Sequence, residues 1–302
     1  MDAVSVDIAF ITVNYNTLDL VKKLAAFFET LSAPFTFSLT VVDNSSTDGS
    51  PDFLKASPQV HYIQVEKNIG YGPAINLGVA ATSSKYICVT NTDVILNPET
   101  LVALWQFMES HPDAGVCAPR ITYADGRDQG MVFRASLLAH CADWYGKLLA
   151  ARAKSEIARA TAPVRVDGVM GAFFLIRRSA IPSSLLFDED FFFFYEDSAL
   201  SHSLKIHGVP CFVLPGVSIV HLGGKSRSEA SVSLFYQSKY LYLRKFYGSF
   251  HAKTVHLLDR LRIFRKWLFY SALLALTPSE RVKSKQLHYA IAWKTVRALR
   301  IE

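Results

Sequence analysis

Apolar runs and segments with helical spacing alternate along the first 120 residues of the chain. The runs that predict strands are DIAFITVNY, FSLTVVDNS, PQVHYIQVEKN, KYICVTNTD and AGVCAPRI. The segments that predict helices are TLDLVKKLAAFFETL, GPAINLGVAAT and NPETLVALWQFMESH. Alternation of this kind predicts an α/β fold, a Rossmann-like and mostly parallel sheet with helices on both faces.

Candidate cap residues mark the starts of two predicted helices. Thr17 is a candidate N-cap of the first helix, and Asn97 followed by Pro98 is typical of a helix start. The pattern weakens between residues 121 and 163, where we expect a loop and then a helix. It becomes regular again over residues 166–181. Beyond these, SALSHSLKIHG predicts a helix and VPCFVLPGVSIVHLGG one or two short strands.

Polar clusters follow four of the predicted strands, at residues 14–16, 43–48, 68–72 and 91–93. In open α/β sheets, ligands bind at the carboxyl ends of the strands. Each cluster by itself is explained by the turn preferences of Asn, Asp and Gly. Four in succession favour a shared binding site at one edge of the sheet.

Candidate metal and phosphate chemistry lies in three of the later segments. Asn91 and Asp93 place two oxygen-bearing side chains after a buried strand, and such ligands suit Mg2+ or Mn2+. The glycine-rich stretch NIGYGPAINLG leads into a helix whose amides could meet a phosphate. It is not a dinucleotide fingerprint, because Ile75 stands where the third glycine belongs. His221 gains a functional interpretation only if a metal lies nearby.

The stretch FDEDFFFFYEDSALS, residues 187–201, combines an aromatic run with two pairs of acids. A carboxylate against aromatic walls can have a raised pKa and act as a general base, which makes Glu196 and Asp197 catalytic candidates. The structural alternative is that Asp197 caps the following helix. We expect Phe191 to Tyr195 to form an aromatic wall, and Glu189 and Asp190 to lie on a solvated turn.

Six motifs together resemble the family 2 glycosyltransferases with a GT-A fold, and within them the bacterial rhamnosyltransferase-like and galactofuranosyltransferase-like members. The resemblance covers roughly residues 6–245. The motifs, in the family's order, are VNYN (13–16), VDNSSTDGS (42–50), NIGYGPAINLG (68–78), NTD (91–93), GAFFLIRR (171–178) and FFFYEDSAL (192–200).

The resemblance implies a role for each matching residue. Asp197, with Glu196 beside it, would supply the base that deprotonates the acceptor hydroxyl. Asp93 matches the second acid of the D-x-D motif, and His221 matches a histidine that coordinates the metal in some members. Asp43 would bind the nucleotide base. The nucleotide-sugar contacts implied are Val13, Tyr15, Asn16, Asp43, Ser45, Asn68, Gly70, Asn76, Asn91 and Thr92.

Two positions depart from the family's pattern. Asn91 replaces the first D-x-D acid, which either weakens the metal affinity or leaves Asp93 and His221 to supply most of it. Ala199 replaces the second Asp of the E-D-x-D-L motif, which changes a contact to donor or acceptor.

The resemblance implies an inverting, Mg2+- or Mn2+-dependent transfer of rhamnose or a related hexose. The donor would be a deoxythymidine- or uridine-diphosphate sugar, and the acceptor a glycan or lipid-linked hydroxyl in surface polysaccharide synthesis. One alternative is a nucleotidyltransferase, against which VNYNTLD counts because those enzymes carry a glycine-rich basic loop there. The other is a non-catalytic nucleotide-sugar or lipid-binding module.

Composition divides the chain into a nearly neutral body and a basic tail. Residues 251–302 carry 11 Lys/Arg and 3 Asp/Glu, a formal charge of +8. The other 250 residues carry 21 Lys/Arg and 23 Asp/Glu, or −2, so the whole chain has a formal charge of +6. We therefore expect a GT-A domain over residues 1–250 and a helical tail over 251–302. The tail segment LLDRLRIFRKWLFYSALLAL is too short in its apolar part to span a bilayer.

Two interpretations of the tail stay open, and neither involves nucleic acid. It is an interfacial helix attracted to anionic lipid, or a helix packed on the catalytic domain. The N-terminus has an acid where a signal peptide carries basic residues, and Cys88, Cys117, Cys141 and Cys211 lack metal-site spacing. We therefore expect a cytoplasmic protein, with the inner face of the cytoplasmic membrane as the surface that the tail would contact.

Overall fold

The structure is a computed structural model and describes residues 5–130, 132–133, 136–169, 171–182, 185–223 and 229–301. The strands are β1 (Val6–Asn14), β2 (Phe37–Asp43), β3 (Val60–Gln64), β4 (Ser84–Thr90), β5 (Val94–Ile95), β6 (Val116–Thr122), β7 (Val132–Phe133), β8 (Val164–Val166), β9 (Gly168–Val169), β10 (Phe173–Arg177) and β11 (Cys211–His221). The helices are α1 (Leu18–Thr30), α2 (Ser50–Lys55), α3 (Tyr71–Ala80), α4 (Pro98–Ser110), α5 (Leu137–Cys141), α6 (Asp143–Arg159), α7 (Glu196–Ile206), α8 (Glu229–Tyr247), α9 (Ser249–Leu276) and α10 (Glu280–Ala298).

Nine strands form the main sheet in the order β3-β2-β1-β4-β10-β6-β11-β5, with β8 paired to β11. The strands β1, β2, β3 and β4 pair in parallel, as do β6 and β11. The strands β5, β8 and β10 run in the opposite direction. The predicted mostly parallel α/β sheet is confirmed. Its carboxyl edge carries the polar strand ends.

Each face of the sheet is covered by helices because side chains alternate along the strands. Phe10 and Cys88 point into one core with helices α1 and α4, whereas Ile11 and Val89 point into the other with helices α3 and α7. Both cores are built from fully buried aliphatic and aromatic residues. The result is a three-layer α/β/α arrangement.

Two features of the sheet were not predicted. The strand β10 inserts antiparallel between β4 and β6, so neighbours in the sheet are not neighbours in the chain. The segment predicted as one or two short strands is the single long strand β11. Its register shifts between Leu214 and Ser218, where Pro215 and Gly216 lie. Proline cannot donate to the ladder, which explains why the irregularity falls there.

The predicted N-cap is confirmed for helix α4 and differs for helix α1. Asn97 Oδ1 accepts a hydrogen bond from the Thr100 amide at 2.8 Å, so its N-cap role is confirmed. Thr17 occupies the N-cap position of α1, but its hydroxyl donates to Asn14 instead. The carboxylate of Asp48 accepts from the Leu18 amide at 2.9 Å and caps the helix in its place.

The chain forms two compact units, one of residues 1–135, 147–192 and 196–224, the other of residues 136–146, 193–195 and 225–302. The second unit is built on α8, α9 and α10. Within it, buried Asp259 of α9 accepts from Lys239 Nζ at 2.6 Å, from the Tyr240 hydroxyl and from Arg262. In the described part of the chain, no helix is long and apolar enough to cross a membrane.

The aromatic run at residues 191–195 is not the single wall that we expected. Phe191 is fully buried in the first unit. Phe194 and Tyr195 belong to the second unit and pack against Phe235, and both have a φ of 66°. Left-handed backbone is rare for bulky residues and marks a constrained segment. The constraint lies immediately before the first acid of the catalytic candidate pair.

Gly70 marks a close approach of two chain segments within the first unit. Its φ of 94° and ψ of 171° are a combination that only glycine adopts readily. A Cβ there would collide with the backbone carbonyl of Phe192. The same carbonyl accepts from the Tyr71 amide at 2.9 Å. The glycine therefore lets the segment before α3 meet the segment before α7.

Replacement of Gly70 by alanine should lower the free energy of unfolding by about 3 kcal/mol, because it adds a backbone collision to an unfavourable backbone conformation. Gly126 is the matched control. Its φ is 80° and its Cβ position is open, so Gly126→Ala should cost only about 1 kcal/mol. Thermal unfolding of both variants measures the difference. Equal losses would contradict the close approach at Phe192.

Candidate active site

The ends of β1 and β2 are joined by buried hydrogen bonds. Asn14 Nδ2 donates to Asp43 Oδ2 at 2.7 Å and to Ser46 Oγ at 3.0 Å. The other carboxylate oxygen of Asp43 accepts from the Ser46 amide at 2.8 Å. Asp43 is 0% exposed. The carboxylate of Asp43 therefore holds together the loop that follows β2 at the carboxyl edge of the sheet. These hydrogen bonds set the direction in which the chain leaves β2.

The next two loops interlock in the same way. Asn44 Nδ2 donates to Asn68 Oδ1 at 3.0 Å, and Asn68 Oδ1 also accepts from the Gly70 amide. Asn16 Oδ1 accepts from the Thr47 amide, and the hydroxyl of Ser45 donates to Glu66 O. Asn16 and Ser45 both have positive φ values, of 53° and 68°. These loops form a rigid polar rim.

Three further residues predicted to contact the nucleotide sugar, Val13, Tyr15 and Asn76, lie in different surroundings. Tyr15 is exposed at the rim, whereas Val13 packs partly buried against one core. Asn76 is buried on α3, and its amide makes two hydrogen bonds to the backbone of Phe187. Its Nδ2 also reaches Glu189 Oε1 at 3.1 Å. Asn76 thus anchors the segment that leads to α7.

Asp93 and His221 are brought together by the short strand β5. That strand pairs antiparallel with β11, with His221 opposite Val94. The Leu222 amide donates to Asp93 O at 2.9 Å and continues the pairing by one residue. As a result, His221 Nε2 lies 3.3 Å from Asp93 Oδ1, and both side chains are largely buried.

The pair fits a divalent cation of the kind that keeps part of its water shell. A carboxylate and an imidazole supply one ligand each, and Mg2+ or Mn2+ completes its shell with waters and substrate phosphates. Within the described residues, no group of three or more His, Cys, Asp or Glu is placed to hold a metal. A two-residue site open to substrate oxygens is therefore the arrangement that these side chains can form.

Asn91, at the first position of the D-x-D motif, makes a hydrogen bond within the protein. Its Oδ1 accepts from the Tyr71 hydroxyl at 2.9 Å, and that hydroxyl also lies 3.3 Å from Gly171 O. Burial and the nearby carboxylates of Glu196, Asp197 and Asp93 raise the pKa of Tyr71 well above its ordinary value. The hydroxyl therefore keeps its proton and stays a donor.

A hydrogen bond from Gly171 connects Asp197 to the same cluster. Its Oδ2 accepts from the Gly171 amide at 3.1 Å, and its Oδ1 accepts from the amide and hydroxyl of Ser198. A Cβ on Gly171 would press on Asp197 Cβ at 3.3 Å. The hydrogen bonds run from Asn91 through Tyr71 and Gly171 to Asp197, so the strand end with the metal candidates and the candidate base are linked.

The two adjacent acids differ in their surroundings. Burial raises the pKa of Asp197, although its three hydrogen-bond donors oppose the shift. Glu196 is 8% exposed and its Oε2 has no hydrogen-bond partner, so burial and the neighbouring Asp197 raise its pKa. Both carboxylate oxygens of Asp197 accept hydrogen bonds from other residues, whereas Glu196 Oε2 accepts none, so Glu196 is the member of the pair that retains a proton.

Several residues of this site were missed in the sequence. Gln129 contacts His221, Tyr71 and Gly171 connect Asn91 to Asp197, and Asp48 caps α1. Tyr71 and Gly171 lie inside motifs that carried the resemblance, so their positions could have been suspected. Gln129 lies in a segment without regular pattern, and nothing in its spacing pointed to His221.

Comparison with known proteins identifies the family. The profile described as "Glycosyl transferase family 2" matches residues 10–183, which include the strand ends and β10. The chain therefore belongs to glycosyl transferase family 2, and it is a glycosyltransferase. The nucleotidyltransferase and non-catalytic alternatives are accordingly set aside.

Two curated relatives share part of the sequence. An N-acetylglucosaminyl-diphospho-decaprenol L-rhamnosyltransferase of Mycobacterium tuberculosis is 26% identical over 227 residues, 68% of this chain and 74% of the relative. The succinoglycan biosynthesis protein ExoO of Rhizobium meliloti is 30% identical over 97 residues, 32% of this chain and 28% of that protein.

Solved structures establish the GT-A fold. The mannosyltransferase PcManGT of Pyrobaculum calidifontis, in complex with GDP-Man and Mn2+, superposes with a TM-score of 0.56 at 15% identity. The match covers 97% of this chain and 86% of that one. GalNAc-T7, with UDP, GalNAc and Mn2+, gives a TM-score of 0.55 at 13% identity, over 81% of this chain and 51% of the other. Both structural neighbours were thus solved with a divalent manganese ion.

Replacement of Glu196 by glutamine should change how stability depends on pH. Below the pKa of an unfolded glutamate, both states of the wild type carry the proton. As pH rises, the unfolded chain ionises first, so wild-type stability falls until pH passes the raised pKa of folded Glu196. The variant lacks this loss of stability. Between pH 5 and 8, its unfolding temperature relative to that of the wild type should therefore rise by several degrees, since 1 kcal/mol corresponds to about 2–4 °C for a protein of this size.

Exposed Glu29 on α1 provides the matched control for this substitution. Glu29→Gln should leave the pH profile of the unfolding temperature unchanged. Parallel profiles for Glu196→Gln and the wild type would contradict a raised pKa at Glu196.

Proposed function

We propose that the chain catalyses inverting transfer of a hexose from a nucleoside-diphosphate sugar to a hydroxyl group. Asp93 and His221 would hold a divalent cation, and Asp197 would act as general base. The observation that carries the proposal is the 3.3 Å approach of His221 Nε2 to Asp93 Oδ1. Asn91, two residues before Asp93 in the chain, is connected by hydrogen bonds through Tyr71 and Gly171 to Asp197.

Asp197 is suited to take the proton of the acceptor hydroxyl. Burial raises the pKa of its carboxyl, which makes the carboxylate a better proton acceptor. The Gly171 amide fixes one of its oxygens, and Ser198 fixes the other. As the acceptor oxygen attacks the anomeric carbon from the face opposite the diphosphate, its proton passes to Asp197. The C–O bond to the leaving diphosphate breaks and the configuration inverts.

The neighbouring Glu196 supports this role by staying neutral. A second negative charge beside Asp197 would repel the diphosphate and compete for the acceptor proton. Because Glu196 retains its proton, the pair carries a single negative charge at the carboxylate that has hydrogen-bond donors. When bound, the cation would neutralise charge on the diphosphate as it leaves.

The donor side would be formed by the interlocked loops at the ends of β1, β2 and β3. Asp43 and Asn68 set the shape of this rim, and exposed Tyr15 is available to a nucleotide. The Mycobacterium tuberculosis relative is named as an L-rhamnosyltransferase. We therefore take deoxythymidine-diphosphate rhamnose as the first donor to test, with uridine-diphosphate sugars next.

A lipid-linked glycan is the acceptor class that the relatives favour. One relative is named for a decaprenol-linked acceptor and the other for succinoglycan biosynthesis. We propose a corresponding place for this chain in surface polysaccharide synthesis.

The helix α9 supplies a surface that fits such an acceptor. Along one side of α9 lie Phe250, Leu257, Leu261, Phe264 and Leu268, spaced by three, four or seven residues, with Phe250 77% and Leu261 57% exposed. The exposed cations Lys253 and Arg265 accompany this stripe, and the tail's charge of +8 would repel a second copy. We propose that the tail, residues 251–302, lies on anionic lipid at the inner face of the cytoplasmic membrane.

Replacement of Asp197 by asparagine should reduce turnover about 10²- to 10⁴-fold, because the amide cannot accept the acceptor proton. Donor binding should change little, since the side chain keeps its shape and its amide oxygen can still accept from either the Ser198 amide or the Gly171 amide. Sugar transfer is measured with radiolabelled donor in the presence of Mn2+, and donor affinity by calorimetry.

The control for this experiment is Asp113→Asn, at an exposed position after α4. It should transfer sugar at the wild-type rate. Near wild-type turnover in Asp197→Asn would remove Asp197 from the proposed role.

Binding to vesicles tests the membrane part of the proposal. The double variant Leu257→Gln and Leu261→Gln should lose most flotation with vesicles of phosphatidylcholine and phosphatidylglycerol, because about 1.5–3 kcal/mol of apolar burial is removed at each leucine. The control Ile206→Gln alters an exposed apolar residue at the end of α7 and should float like the wild type. Equal flotation of the double variant, or of the wild type with phosphatidylcholine alone, would count against an anionic lipid surface.

A further inference from the structure

Gln129 makes three polar contacts around the end of β11. Its Oε1 lies 2.9 Å from His221 Nδ1. Its Nε2 donates to His221 O at 2.6 Å and reaches Thr122 O at 3.4 Å. The side chain of Gln129 therefore extends from the end of β6 to the end of β11 and contacts both the backbone and the ring of His221.

The direction of the Gln129 amide follows from these contacts. Two backbone carbonyl oxygens can only accept, so the NH2 group of Gln129 must face them. Its Oε1 then faces the imidazole, and an oxygen acceptor next to Nδ1 requires a proton on Nδ1. The neutral ring consequently carries its lone pair on Nε2, the nitrogen that lies 3.3 Å from Asp93 Oδ1.

The backbone holds Gln129 firmly in this position. Its amide donates to Ile121 O at 2.8 Å, and Thr122 forms a bridge with Asp128. The Asp128 carboxylate accepts from the Gly130 amide at 2.7 Å and pairs with Arg120. The turn that carries Gln129 is thereby tied to the strand β6 on both sides, so the amide is positioned before any ligand arrives.

We propose that Gln129 is a positioning residue for the metal site, which holds His221 in the tautomer with Nδ1 protonated and Nε2 open toward Asp93. The inference rests on the proposed function in taking a divalent cation as the ligand of that pair. In the other tautomer, Nε2–H would donate to the Asp93 carboxylate and close the site with an internal hydrogen bond. Gln129 removes this competing state, and partners of this kind typically change metal affinity 10- to 100-fold.

The tautomer is measured directly in the metal-free protein. Long-range ¹⁵N–¹H spectra of ¹⁵N-histidine-labelled protein at pH 8.5, where ordinary histidines are neutral, distinguish the two ring nitrogens. His221→Asn assigns the signal by its loss. The wild type should show Nδ1 protonated, whereas Gln129→Leu should shift His221 toward the Nε2–H tautomer.

Manganese affinity supplies the second readout. Titration of Mn2+ followed by electron paramagnetic resonance should give a dissociation constant about 10- to 100-fold weaker for Gln129→Leu than for the wild type. Gln106→Leu, the same substitution at an exposed position of α4, should bind Mn2+ like the wild type. Thermal unfolding of each variant verifies that it is folded.

The outcomes separate this inference from the proposed function. Unchanged Mn2+ affinity in both Asp93→Asn and His221→Asn would overturn the metal site itself. If those variants lose Mn2+ but Gln129→Leu keeps the wild-type tautomer and affinity, only the positioning role is overturned. An Nε2–H tautomer in the wild type would overturn it as well.

Discussion

Asp93 Oδ1 and His221 Nε2 face each other at the carboxyl edge of the sheet, 3.3 Å apart and largely buried. A carboxylate oxygen and an imidazole lone pair repel at that distance unless a proton or a cation lies between them. The pairing of β5 with β11 imposes the approach, and the Gln129 amide faces the other side of the ring. The pairing of the strands brings together the two side chains that we propose as ligands of a divalent cation, and two structural neighbours were solved with Mn2+.

The rest of the site is organised around that place. Asn91 cannot add a carboxylate, and its amide oxygen instead accepts from Tyr71. Tyr71 reaches Gly171, whose amide holds Asp197. The close approach at Gly70 keeps the segment before α3 against the segment before α7, which begins with the two acids. Asp197 is thus connected by hydrogen bonds to Asn91, two residues before Asp93 in the chain, and all of these residues belong to one unit.

The sequence predicts the alternating strands and helices well, because strands buried on both faces form continuous apolar runs, whereas the helices that cover them have apolar residues at helical spacing. It also predicts that polar strand ends converge, as Asn14 and Asp43 do. It does not predict the antiparallel insertion of β10 or the bulge in β11, which depend on long-range pairing. Gln129 is missed for a similar reason. Its partner His221 is 92 residues away, and the segment around it has no period that would place it.

Pulsed electron paramagnetic resonance of Mn2+ added to the protein tests most directly whether Asp93 and His221 bind a metal. Modulation from ¹⁴N nuclei reports an imidazole nitrogen bound to the metal. We expect this modulation in the wild type and its loss in His221→Asn, with the water and oxygen ligands of the metal unaffected. Mn2+ bound tightly without any ¹⁴N modulation would show that the pair of Asp93 and His221 is not the metal site.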